Sequence, residues 1–184
     1  MEPGKTGTVK MDNTVNRLTC SELKSKCQSL VMNLHLENKY RLPKGTKIYF
    51  AGPWFTDRGK VLYDTCKNIE LISDTTFKIF YPKDQINNAP KDAFNKNVRN
   101  IKECDIVVAL VSEKDVGTAW EIGMAYSLGK PIYLLGYDET TFLSHTNVML
   151  AFTGKCLTFK EYYKFLRNDK PKFVKIKNKW EGIE

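Results

Sequence analysis

The 184-residue chain has no apolar run near the roughly 18 residues that a membrane-spanning helix needs, which excludes an integral helical membrane protein. Residues 1–30 carry no apolar h-region, so a secretory signal is not expected. Histidine is scarce: His35 and His145 are the only two, too few for a histidine-rich metal site. The cysteines (Cys20, Cys27, Cys66, Cys104 and Cys156) number five, an odd count, with wide spacing and no CxxC. That pattern points to reduced thiols and a cytoplasmic protein rather than a disulfide frame or a zinc site. There is no GxGxxG, no P-loop GK[ST] and no GxSxG elbow, which weakens dinucleotide, nucleoside-triphosphate and serine-hydrolase readings. Neither an internal repeat nor a low-complexity tract is present.

Hydrophobic residues make up 42% and charged residues 27%, which fits one globular domain. The net charge of +8 is unevenly spread: residues 1–47 carry +5, residues 164–184 carry +4, and the middle is close to neutral at −1. A nucleic-acid-binding domain normally shows its basic face on the folded core, so this distribution argues against nucleic acid as the main partner.

Residues 1–18 are polar and aperiodic and read as a disordered leader. Residues 19–38 read as a helix, because Leu23, Cys27, Leu30, Val31 and Leu34 form one apolar stripe, with Thr19 or Ser21 as its cap. Pro43 and Gly45 break the chain, so residues 1–45 form an extension ahead of a domain at 46–184. Strands are expected at Lys47–Ala51, Phe77–Tyr81, Asp105–Val111 and Pro131–Leu135. Helices are expected at Gly59–Leu71, 91–103, Thr118–Leu128 (closed by Gly129) and 158–167. Alternating strands and helices imply βαβ units. Near-continuous apolar strands such as DIVVALV suit a sheet covered on both faces. The expected fold is a doubly wound, three-layer α/β sandwich with four or five mostly parallel strands.

Such folds bind ligands beyond the carboxyl ends of their strands. Three loops there carry chemistry. The first, Gly52-Pro53-Trp54-Phe55-Thr56-Asp57-Arg58, sets two aromatics beside a carboxylate and an arginine. Its rings either wall a pocket for a flat ligand or plug the core under a turn. The second ends in Gln85, whose amide offers a donor and an acceptor to a nucleobase edge or is simply solvated. The third runs from Ser112 through Asp115 and Gly117 to Glu121. Two carboxylates converging on a cleft suffice for nucleophilic work at a glycosidic bond. Against that, Asp115 has the spacing of a helix cap and Glu121 that of a surface ion-pair partner.

Together these segments resemble the nucleoside 2-deoxyribosyltransferase family. The likeness rests on IYFAGPWFTDR (48–58), DVGTAWEIGMAYSLGKPI (115–132), Asn147-Val148-Met149, and KPKF with a terminal WEGIE. It covers about residues 46–184, roughly three quarters of the chain. The resemblance implies a flavodoxin-like sheet, no metal or organic cofactor, and a homo-oligomer whose active sites are completed by a neighbouring subunit. It implies a 2′-deoxynucleoside and a free nucleobase as partners. Carried over by position, Glu121 is the nucleophile, Tyr49 orients it, and Asp115 holds sugar hydroxyls. Asn147 reaches in from the next subunit toward the 5′ end of the sugar. Gln85 faces the base, and Trp54 and Phe55 wall the pocket. Gly52, Asp57, Gly117 and Met149 join the substrate-binding set on the same basis.

The sequence departs from the family at one point. Where the family commonly has an aspartate that manages the base's proton, this chain has Asn97, and an amide delivers no proton at neutral pH. Leaving-group protonation is therefore the weak part of the transferase reading. The alternatives are a nucleoside or 5′-monophosphate N-glycosidase and a non-catalytic nucleoside-binding module.

Overall fold

A computed structural model describes residues 18–34, 43, 45–73, 77–85, 89–113, 115–144, 148–167 and 169–175. The order of elements is α1 (Cys20–Leu34), β1 (Lys47–Ala51), α2 (Asp57–Ile72), β2 (Lys78–Phe80), a 3-10 turn (Pro82–Gln85), α3 (Pro90–Glu103), β3 (Ile106–Leu110), α4 (Val116–Ser127), β4 (Ile132–Gly136), α5 (Glu139–Ser144), α6 (Val148–Ala151), β5 (Lys155–Thr158) and α7 (Phe159–Leu166).

The five strands pair in parallel in the order β2-β1-β3-β4-β5. This is the flavodoxin-like order, and its direction of winding reverses between β1 and β3. The apolar strands bury alternate residues on opposite faces. Ile48, Phe50, Val108, Leu110, Leu135 and Leu157 form one cluster with residues of α1, α2 and α7. Tyr49, Ala51, Val107, Ala109, Leu134 and Cys156 form the other with Ile101 of α3, Ile122 and Ala125 of α4, and Phe142 of α5.

The helix expected at 19–38 is present as α1, and residues 35–38 lie outside the described residues. Its start is a reciprocal box: the Thr19 N–H donates to Glu22 Oε2 at 2.8 Å, and the Glu22 N–H donates to Thr19 Oγ1 at 3.3 Å. Leu23 and Cys27 are fully buried against α2 and α7, so α1 belongs to the main core. The expected leader at 1–18 falls almost wholly outside the described residues.

The other expected helices and strands agree to within two residues. Three short elements were not legible. The fifth strand, Lys155–Thr158, is a four-residue run too brief to show a period. Helices α5 and α6, of six and four residues, are likewise too short.

Candidate active site

The strand order reverses between β1 and β3, and in such folds ligands bind beyond the carboxyl ends of the strands at that reversal. Tyr49 lies in the middle of β1, fully buried, in the cluster under α3 and α4. Its hydroxyl donates to Oε1 of Glu121 at 2.5 Å. Glu121 stands half-buried on α4, the helix that follows β3. Burial pushes its carboxyl up to about 7, the Asp115 charge adds to the rise, and the Tyr49 hydrogen bond opposes it. Burial, then the charge of Glu121, pushes the Tyr49 phenol well above its ordinary range. The shared proton therefore stays on Tyr49, and Glu121, ionising at about 7, becomes fully charged only above neutral pH.

Asp115 caps α4. Its Oδ2 accepts from the Thr118 N–H at 2.6 Å and from Thr118 Oγ1 at 2.7 Å. The capping role that spacing suggested is thus real. It occupies one carboxylate oxygen and leaves Oδ1 without a partner among the described residues. Capping and ligand binding are compatible in this geometry.

Trp54 and Phe55 lie ring against ring, centroids 3.9 Å apart. Trp54 packs partly onto the core, whereas Phe55 is 66% exposed. The turn is close-packed. A Cβ on Gly59 would come within 1.8 Å of the Pro53 carbonyl oxygen, so only glycine lets α2 start beneath that carbonyl. At Gly52 a Cβ would meet Leu110 Cβ at 3.3 Å, where β1 and β3 end side by side.

The remaining expected residues are less closely gathered. Gly117 is exposed in the first turn of α4. Asp57 opens α2, and its side chain is 87% exposed and pairs with Lys60 at 3.1 Å. Met149 is 76% exposed on α6. Gln85 closes the 3-10 turn, with its side chain outside what is described, and Asn147 lies outside the described residues. Asn97 is half-buried on α3, and its Oδ1 is buried with no hydrogen-bond partner among the described residues.

Two features escaped the sequence reading. Phe94 of α3 and Trp120 of α4 pack with ring centroids 5.4 Å apart, beside Glu121 and one helical turn from Asn97. Arg58, in the first turn of α2, pairs with Glu113 of the β3–α4 loop at 2.7 Å, joining two of the strand-end loops. Opposite charges in WFTDR and SEKD were the available signal, but charge alone does not specify a pair 55 residues apart. Among the described residues no group of three or more His, Cys, Asp or Glu side chains forms a metal-binding set, and no helix is long and apolar enough to cross a membrane.

Residues 48–169 match the family model described as nucleoside 2-deoxyribosyltransferase. The chain belongs to the nucleoside 2-deoxyribosyltransferase family. Family enzymes act on nucleosides, as transferases or as N-glycosidases. A 2-deoxyribosyltransferase of Bacillus psychrosaccharolyticus superposes with a TM-score of 0.56 at 22% identity, covering 64% of this chain and 90% of that one. A protein of Enterococcus faecalis V583 gives 0.56 at 24% identity, covering 67% and 98%. These two likenesses carry the fold. A protein of Thermofilum pendens named for 2′-deoxynucleoside 5′-phosphate N-hydrolase activity is 26% identical over 100 residues, which is 50% of this chain and 69% of that protein.

Proposed function

We propose that the protein transfers 2-deoxyribose between nucleobases by a retaining double displacement. The observation that carries this reading is the Tyr49 hydroxyl donated to Glu121, with the capping Asp115 on the same helix, at the winding reversal of the sheet. A carboxylate oriented by one donor, part-buried and ionising near 7, is a competent nucleophile at neutral pH.

In the first step an oxygen of Glu121 bonds to C1′ of a 2′-deoxynucleoside as the C1′–N bond breaks. The bond pair leaves on the base nitrogen, which gains a proton. A deoxyribosyl ester remains on Glu121. In the second step a nitrogen of another free base attacks C1′, the Glu121 carboxylate leaves, and the incoming base loses its proton. Two inversions give retention. Asp115 binds sugar hydroxyls through Oδ1, and the aromatic turn at Trp54 and Phe55 walls the pocket. Gly52, Gly117, Gln85 and Met149 complete the substrate-binding set, with Asn147 contributed by a neighbouring subunit of a homo-oligomer. Asn97 binds the base as an amide, so the leaving base draws its proton from water. Residues 46–184 form the catalytic domain of a cytoplasmic enzyme of nucleoside salvage.

The test is a base exchange between thymidine and free adenine, followed by chromatography, with Glu121→Ala alongside. Deoxyadenosine formed only with intact Glu121 is the expected result. Free thymine without deoxyadenosine would replace transfer by hydrolysis. A reaction with thymidine monophosphate but not thymidine would move the substrate class to the 5′-phosphate. Binding of thymidine with no turnover would make the protein a nucleoside-binding module.

A further inference from the structure

Arg58 has two partners that belong to different parts of the chain. Its Nε lies 2.7 Å from Glu113 Oε1, with the two side chains only 24% and 17% exposed. Its Nη1 donates to the Leu18 carbonyl oxygen at 2.8 Å. Leu18 immediately precedes the Thr19 box that starts α1, and it packs against the core cluster that holds Leu23 and Cys27. Glu113 lies two residues before Asp115, the cap of the helix that carries Glu121. One planar guanidinium thus contacts both Leu18, just ahead of the N-terminal helix, and Glu113, two residues before Asp115.

The Glu113 contact is an ion pair without an aligned hydrogen bond, and a lysine has one ammonium where Arg58 uses two separate nitrogens for its two contacts. The ion pair is also shielded enough that removing one partner leaves the other poorly solvated, unlike a fully exposed pair. The two loops it spans leave the carboxyl ends of β1 and β3, the strands that flank the winding reversal.

We infer that Arg58 is a positioning residue for the deoxynucleoside site, acting through Glu113 on Asp115, and that helix α1 is thereby part of the catalytic unit. The inference rests on the function proposed above for Asp115. It assigns Arg58 no contact with substrate. Arg58 fixes the β3–α4 loop so that Oδ1 of Asp115 meets the sugar at a constant height, which lowers the ordering cost of binding.

The experiment uses the full chain and three variants: Arg58→Gln, Arg58→Lys and Glu113→Gln. Hydrogen exchange reads the clamp without reference to activity. In Arg58→Gln, amides over 111–118 and 18–23 should exchange about tenfold faster while β3 and β4 stay protected. In Glu113→Gln only the 111–118 amides should loosen, and Arg58→Lys should fall between. Steady-state kinetics reads the consequence: KM for the deoxynucleoside should rise about tenfold in Arg58→Gln, with the acid limb set by Glu121 unmoved. Arg58→Lys should recover part of that loss.

Unchanged exchange in both neutral variants would overturn the clamp. Faster exchange with an unchanged KM would overturn the positioning role. If the unaltered protein neither transfers nor hydrolyses, the proposed function fails, and the exchange results still decide whether Arg58 joins α1 to the β3–α4 loop.

Discussion

Among the described residues the same pair of groups occurs twice. On the α3/α4 side of the sheet, the Tyr49 hydroxyl donates to Glu121 at 2.5 Å. On the opposite side, the Tyr162 hydroxyl of α7 donates to Glu70 of α2 at 2.7 Å. Both tyrosines are fully buried, and burial pushes both carboxyls up, Glu121 to about 7 and Glu70 to about 8. In each case the tyrosine hydrogen bond opposes the rise. What differs is place. Glu70 is buried on α2 against Tyr162 of α7. Glu121 is half-open beside the winding reversal, with the second carboxylate, Asp115, at the head of its helix. A perturbed carboxyl is thus no sign of catalysis by itself; its access and its neighbours decide.

The sharpest test of this contrast exchanges each glutamate for its neutral isostere. Glu121→Gln should lower turnover by at least about a thousandfold, because an amide oxygen is a poor nucleophile at C1′. Glu70→Gln should keep kcat/KM within about twofold. A comparable loss from both would erase the distinction between a site and a buried core pair.

Tyr49→Phe comes next. Loss of the orienting donor should cost about ten- to a hundredfold in kcat/KM, on the scale of one preorganised hydrogen bond. The pH profile sharpens this reading. The nucleophile must be ionised, so kcat/KM should fall about tenfold per pH unit as pH drops below the Glu121 value of about 7. Because the Tyr49 bond lowers that value, its removal should carry the acid limb upward. A limb that stays in place would mean the phenol does not stabilise the reacting carboxylate.

Asn97→Asp tests the family departure. A carboxyl there can pass a proton to the leaving base, so turnover should rise about tenfold. Unchanged turnover would show that base protonation does not depend on this position.

The smallest expected effect is on stability. The Glu70 carboxyl ionises at about 8 in the folded chain, against 4.5 for an ordinary glutamate. Between those values the unfolded chain has released a proton that the folded chain retains, so wild-type stability falls as pH rises from about 4.5 to about 8. Glu70→Gln removes that loss, and at pH 8 the variant should gain about 1–3 kcal/mol. Chemical denaturation at pH 5 and pH 8 measures it: the gain should be present at pH 8 and nearly absent at pH 5.

Much of this protein was determined by local sequence. The apolar strands KIYFA, DIVVALV and PIYLL, separated by helices of about a dozen residues, fixed a parallel α/β sandwich, since short-range periodicity and burial on both faces allow little else. The motif pieces around Tyr49, Asp115 and Glu121 marked the proposed site by resemblance. Tertiary structure decided the rest. The sequence left open whether Asp115 caps a helix or faces a ligand, and the fold has one oxygen do the first while the other has no partner among the described residues. Apart from that resemblance, local pattern does not separate Glu121 from Glu70, since each is a glutamate within a helix and its tyrosine lies 72 or 92 residues away. Nor did it predict that Arg58 would meet both Leu18 and Glu113. Such contacts join residues far apart in the chain. Their geometry depends on the order in which strands assemble, which no local pattern of side chains encodes.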